Sequence, residues 1–231
     1  MFGLIAPVED IFALAKKYEA ITLVDMAQTA GLVDLNVGLT TIDFAVFAGH
    51  KTLYGPTGIS GFVMNPAVKF PAVIFGGTGY ESANQDMPED LPQKYEMGTQ
   101  DIAGIAGLNA ALGWSAQVTI DAIRKKEAEN RKKLIDLLSR YSYIKIIGNY
   151  DSCNYVGIVS CIIEGISSDS AGPVFDRCGI AVRTGLQCAP LAHQFMGTFP
   201  AGTIRFSVNY FTTDKDFAEL EQALDYIDSE L

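Results

Sequence analysis

Residues 21–25, ITLVD, and residues 44–51, FAVFAGHK, decide how this chain is read. Each opens as a short apolar run of strand length, and each ends on residues able to do chemistry: Asp25 in the first, His50 and Lys51 in the second. A third apolar run, Ile59 to Met64, follows the glycine-punctuated loop Tyr54-Gly55-Pro56-Thr57-Gly58. Upstream, Pro7 precedes apolar residues at Val8, Ile11, Phe12, Leu14 and Ala15, the stripe of an amphipathic helix. Helix, strand, connection and strand in succession predict an α/β sheet. In open α/β sheets ligands bind where the ends of neighbouring strands converge, so a carboxylate at Asp25 and an amine at Lys51 are expected to face one small ligand.

Beyond this sheet, residues 66–98 are rich in Gly, Pro and polar groups and predict a long functional loop with little structure of its own. Small residues then dominate a helix after Thr99, and a charged helix spans about 117–140, its Lys and Arg runs expected to form a solvated face. From Tyr141 onward the pattern predicts strands at about 144–148, 156–163, 180–183 and 203–208, with helices at 169–178 and 214–230. This is a small α+β unit, which places a domain boundary near residue 115 and divides the chain into 1–115 and 116–231.

The 231 residues are 48% hydrophobic and 19% charged, enough to bury a sizeable core. Seventeen basic residues stand against 27 acidic ones, and no basic run is interleaved with aromatics, so nucleic acid is not expected as a partner. No apolar stretch has membrane-spanning length and the start lacks a signal-peptide pattern, which leaves no membrane role and a cytoplasmic location as the expectation. Cys153, Cys161, Cys178 and Cys188 show no C-x-x-C spacing and come with only His50 and His193, so free thiols are expected rather than a metal site.

An acid and an amine at neighbouring strand tips suit pyridoxal 5'-phosphate (PLP), whose pyridine nitrogen needs a carboxylate to stay protonated while a lysine carries the aldehyde. VDMAQTAG (24–31) followed by AGHKTLYGPTGISG (48–61) resembles the cofactor segment of the class V aminotransferase family, particularly its cysteine desulfurase branch. The resemblance implies the C-terminal part of a PLP-dependent transferase fold, a partial mixed sheet with helices, plus a small α+β C-terminal domain. It implies that Asp25 pairs with the pyridinium, Gln28 hydrogen-bonds the ring hydroxyl, Lys51 binds the aldehyde covalently and His50 contacts the phosphate. One departure stands out: the family usually has Ser or Thr three residues before the lysine, where this chain has Ala48. A hydrogen bond to a charged phosphate contributes about 1.5–3 kcal/mol, so lower cofactor affinity is expected unless other donors compensate.

Residues 182–190, VRTGLQCAP, are similar to the loop whose cysteine takes sulfur from substrate cysteine and holds it as a persulfide. The resemblance gives that role to Cys188, which sits among Gly, Gln and Pro, whereas Cys153, Cys161 and Cys178 lie in or beside strands and a helix and read as small buried hydrophobes. A thiol that attacks must do so as the thiolate, and Arg183 and His193 are near enough in sequence to assist. Arg205, within TIRFS (203–207), carries a charge between apolar strand neighbours and needs a carboxylate, either from a structural ion pair or, as the resemblance implies, from the amino acid substrate held in a two-bond fork. YEMGTQDIAGIAGLNAAL (95–112) resembles the segment whose Gly-Thr pair reaches a neighbouring subunit's phosphate site, which assigns Thr99 to cofactor binding and implies a homodimer; an N-cap role for Thr99 is compatible.

The function implied is a cysteine desulfurase that converts L-cysteine to L-alanine and passes sulfur to an acceptor protein. Selenocysteine lyase, another class V aminotransferase that does not use Cys188, and a non-catalytic remnant are the alternatives. The resemblance starts partway into the family's pattern, at FGLIAPVEDI (2–11), so the chain is expected to be truncated and to bind PLP weakly or not at all by itself.

Overall fold

Alternation of buried and exposed side chains around Val24 and Ala45 gives the first sheet its inner face, and the rest of the first unit is arranged to cover it. The computed structural model describes residues 1–39, 41–150 and 153–230. It divides into two units, Pro7–Val118 and Thr119–Leu231, the latter joined by Met1–Ala6.

In the unit Pro7–Val118, helix α1 (Val8–Lys16) leads to β1 (Leu23–Asp25), β2 (Phe44–Ala48) and β3 (Ser60–Met64), and helix α2 (Ile102–Val118) closes it. Strands β1 and β2 run parallel with Asp25 opposite Val46, while β3 runs antiparallel to β2 with Ser60 opposite Ala48. Phe12, Val24, Met26, Ala30, Ile42, Ala45 and Leu53 form the core. Asp43 is buried at the start of β2, where it accepts the Thr22 N–H at 2.7 Å and pairs with Lys16. Burial works to raise its pKa, but the Lys16 and Thr22 donors outweigh it and hold the carboxyl below its usual range. The segment 66–98 is irregular apart from a 3-10 turn at Gln93–Tyr95.

The second unit contains α3 (Ile120–Leu138), β4 (Ile144–Ile147), β5 (Ile158–Ile163), α4 (Ser168–Arg177), β6 (Arg183–Gly185), α5 (Pro190–Phe195), β7 (Thr203–Ser207) and α6 (Asp214–Glu230). Its sheet is antiparallel throughout, in the order β4-β5-β7-β6. Leu134, Leu138, Val159, Phe175, Ile204, Leu224 and Ile227 anchor the core between sheet and helices. Met1–Ala6 lies along this unit: Val156 donates to the Gly3 carbonyl at 2.9 Å and Ser160 Oγ to that of Met1 at 3.0 Å.

Three expectations change. The strand expected at 180–183 is instead β6, Arg183–Gly185, because Gly179 turns the chain at the end of α4 and pairing starts only where β7 faces it, Arg183 opposite Arg205. The stretch between the strands expected at 180–183 and 203–208, where no helix is expected from the sequence, contains α5, a single short helix with Pro190 in its first turn. The charged helix does present Arg124, Lys125, Lys132 and Lys133 to solvent as expected, but Arg131 departs from that face and stacks its guanidinium 4.2 Å from the Tyr155 ring centre, while on the buried side Asn130 donates to the Asn209 and Thr212 carbonyls.

Candidate active site

Within the first unit, Asp25 closes β1, and Lys51 follows the end of the parallel neighbour β2 by one tight turn. The Met26 N–H donates to the Val46 carbonyl at 2.8 Å, and the Asp25 carboxylate accepts the Ala27 N–H at 2.8 Å, which fixes the turn that carries Gln28. On the other strand, Gly49 donates to the Ile59 carbonyl at 2.9 Å and Gly55 to the Gly49 carbonyl at 2.7 Å. The loop thus folds back on itself and leaves His50 and Lys51 exposed at its tip. A Cβ on Gly49 would lie 2.9 Å from the Ile59 carbonyl, so only glycine allows this closure. The hydroxyl of Thr52, next to Lys51, is buried without a hydrogen-bond partner.

A carboxylate, a carboxamide, an imidazole and an amine are therefore presented by the C-terminal ends of two parallel strands, the donor set that a pyridine aldehyde with a phosphate arm requires. Thr99 is exposed in the same unit but does not cap α2. That role belongs to Asp101, which accepts the Gly104 N–H at 2.9 Å.

In the second unit, Cys188 is exposed at the turn between β6 and α5, with its backbone and that of Gln187 left-handed at φ +60° and +42°. Arg205, on β7, sits opposite Arg183 on β6. Burial, and then the like charge of Arg183, pull the Arg205 pKa below the usual arginine range, and the nearby Cys188 partly offsets them. No carboxylate pairs with Arg205 among the described residues, and its Nε is buried without a partner. A half-buried guanidinium in that state is suited to an external anion.

His193 hydrogen-bonds to other partners than the thiol. It is fully buried, its Nδ1 lies 2.7 Å from Thr198 Oγ1, and its Nε2 lies 3.0 Å from Gln187 Oε1. Burial, partly offset by a bond to the Leu186 backbone, lowers its pKa and keeps the ring neutral. Of the other thiols, Cys161 is buried in the core and Cys153 partly buried, whereas Cys178, expected to be buried, is exposed at the C-terminal end of α4.

The model of the aminotransferase class-V family matches residues 1–220. A probable cysteine desulfurase of Methanothermobacter thermautotrophicus is 31% identical over 231 residues, covering 97% of this chain and 57% of that protein. Another, of Halalkalibacterium halodurans, is 33% identical over 229 residues, covering 97% of this chain and 55% of that protein. The apo structure of a cysteine desulfurase from Thermococcus onnurineus NA1 superposes with a TM-score of 0.83 at 25% identity, over 99% of this chain and 57% of its own. The chain thus spans a little over half the length of the relatives it matches.

Proposed function

Since the chain belongs to the class V aminotransferase family, we propose that it is the C-terminal part of a PLP-dependent cysteine desulfurase, with Pro7–Val118 contributing to the cofactor-binding domain and the remainder forming the small domain. The relatives named above are cysteine desulfurases or probable ones, which supports the choice within the family. The observation that carries it lies in the second unit: an exposed thiol on a constrained turn, within electrostatic reach of an arginine that has no carboxylate partner among the described residues.

When bound, PLP supplies an electron sink for negative charge developing at the substrate's α-carbon. Asp25 would keep the ring nitrogen protonated, Gln28 would donate to the ring hydroxyl, and His50 would bind the phosphate. Lys51 would hold the aldehyde, and its amine, when free, would move the α-proton of the substrate. Arg205 grips the substrate carboxylate in a planar fork. The Cys188 thiolate then attacks the substrate sulfur: an S–S bond forms, the C–S bond breaks, and the released carbon takes a proton. Alanine leaves and the sulfur remains on Cys188 as a persulfide, from which an acceptor protein collects it. On this reading Thr99 serves the phosphate site of a second copy, so the enzyme works as a homodimer, and its exposed thiols, Cys178 and Cys188, suit the cytoplasm.

Alanine release from L-cysteine by the PLP-saturated protein tests the proposal. Cys188→Ser is expected to abolish release, and Lys51→Ala to abolish both release and the visible absorption that PLP gains on binding. A Cys188→Ser variant that still turns over amino acids would make the protein an aminotransferase instead.

A further inference from the structure

Resting on the reading of Cys188 as sulfur carrier, we propose that His193 is a positioning residue that sets the place of that thiol by acting through Gln187. The two side chains belong to a buried chain of hydrogen bonds that ties three elements together. Thr198, just beyond α5, meets His193 Nδ1 at 2.7 Å. His193 Nε2 meets Gln187 Oε1 at 3.0 Å, and the same oxygen accepts from Thr203 Oγ1, at the start of β7, at 3.2 Å. The Gln187 amide group donates in turn to the Thr203 carbonyl at 3.0 Å.

The network has one consistent set of protons. Because the Gln187 amide nitrogen donates to a carbonyl, its oxygen faces the imidazole, so Nε2 carries the ring proton and Nδ1 accepts from Thr198 at 2.7 Å, much nearer than the His193 carbonyl, which lies 3.5 Å from the same hydroxyl. A neutral histidine supplies one donor and one acceptor in this way, with the Leu186 backbone also within bonding reach of the ring, and its complete burial leaves water no access to substitute for these partners.

What the network holds is a conformation that side-chain-bearing residues resist. Gln187 and Cys188 are consecutive left-handed residues, neither of them glycine, and an unclamped turn would relax them towards negative φ. Relaxation of the Gln187 backbone reorients the Cα–Cβ bond of the next residue, Cys188. The clamp therefore fixes the direction of the attacking sulfur, and a misplacement of about 1 Å costs a directed reaction on the order of a hundredfold. An undirected reagent that meets an exposed thiol from solution is insensitive to the same change.

Hydrogen exchange followed by mass spectrometry reads the clamp without needing the cofactor. In His193→Phe the amides of residues 186–189 are expected to exchange about tenfold faster, with β5 and β7 unchanged. His193→Gln, which keeps a donor for Gln187, is expected to stay within about twofold of the parent. Gln187→Met cuts the network from the turn side without altering the core and is expected to behave as His193→Phe does. In the PLP-loaded protein, His193→Phe is expected to lower kcat for alanine release about a hundredfold at unchanged KM, while iodoacetamide labels Cys188 relative to Cys178 as before.

Unchanged exchange at 186–189 in both His193→Phe and Gln187→Met would overturn the proposal. So would faster exchange throughout the unit with Cys161 becoming reactive, since His193 would then be a packing residue only. If Cys188→Ser retains alanine release, the carrier reading fails while the exchange result stands.

Discussion

Two glycines in the second unit separate the cost of a backbone conformation from the cost of a backbone collision. Gly179 and Gly202 have nearly the same left-handed φ, +74° and +76°. At Gly179 an added Cβ meets nothing within 4 Å. At Gly202 it would overlap the carbonyl and Cα of Gly185, the last residue of β6. Alanine in the left-handed region costs roughly 1–2 kcal/mol, and its stiffer unfolded chain returns about 0.4–1, so Gly179→Ala should lose about 1 kcal/mol. Gly202→Ala suffers the same loss plus about 1–3 kcal/mol for moving backbone that cannot rotate away. The difference between them is therefore about 2 kcal/mol.

Cys161 provides the assay. It is fully buried at the centre of the same unit, and burial pushes its thiol up to about 12, so it reacts only when the unit opens. Labelling of Cys161 in Gly202→Ala should run about thirtyfold faster than in Gly179→Ala, the factor that 2 kcal/mol implies. Equal rates in the two variants would refute the packing of β6 against the turn that precedes β7.

Two other outcomes follow from the site and the core. Arg205→Lys removes the two-bond fork and should raise KM for the amino acid about 10–100-fold with a smaller change in kcat, measured as steady-state alanine release. Glu127 is buried against the Gly157 N–H at 2.6 Å, and burial, only partly offset by that bond, raises its carboxyl pKa. A raised carboxyl pKa means that the folded state binds more protons, so this group's penalty is absent at low pH and grows as pH rises through the ordinary carboxylate range and the raised folded value. Glu127→Gln should therefore be more stable than the parent at neutral pH, and thermal melts of the two should converge as the medium is acidified.

The parts of the fold that could be read in advance were those whose signal is local. The apolar runs ending at Asp25 and Ala48 became β1 and β2, and the i, i+3, i+4 stripe after Pro7 became α1, because the periodicity that specifies each is local, although of the helix stripe only Phe12 is buried and Ile11 and Leu14 are exposed. Strand β6 was displaced because its position depends on β7, some twenty residues on, and not on the apolar Ile180 and Val182, which pack against the core without pairing. Buried polar groups were the other blind spot. Asp43, Asn130 and His193 look like surface residues in sequence, and each is buried only because partners distant along the chain or across a turn complete its hydrogen bonds. The one local hint for His193 was its placement on the short stretch PLAHQF, directly after the Cys188 turn.

On the proposed function, sulfur leaves the substrate and arrives on Cys188. Peptide mass spectrometry after exposing the PLP-saturated protein to L-cysteine reads this directly. The added mass of one sulfur atom is expected on the peptide containing Cys188, absent from Cys153, Cys161 and Cys178 and absent altogether in Lys51→Ala. Sulfur found on the exposed Cys178 instead, with Cys188 unmodified while alanine accumulates, would contradict it.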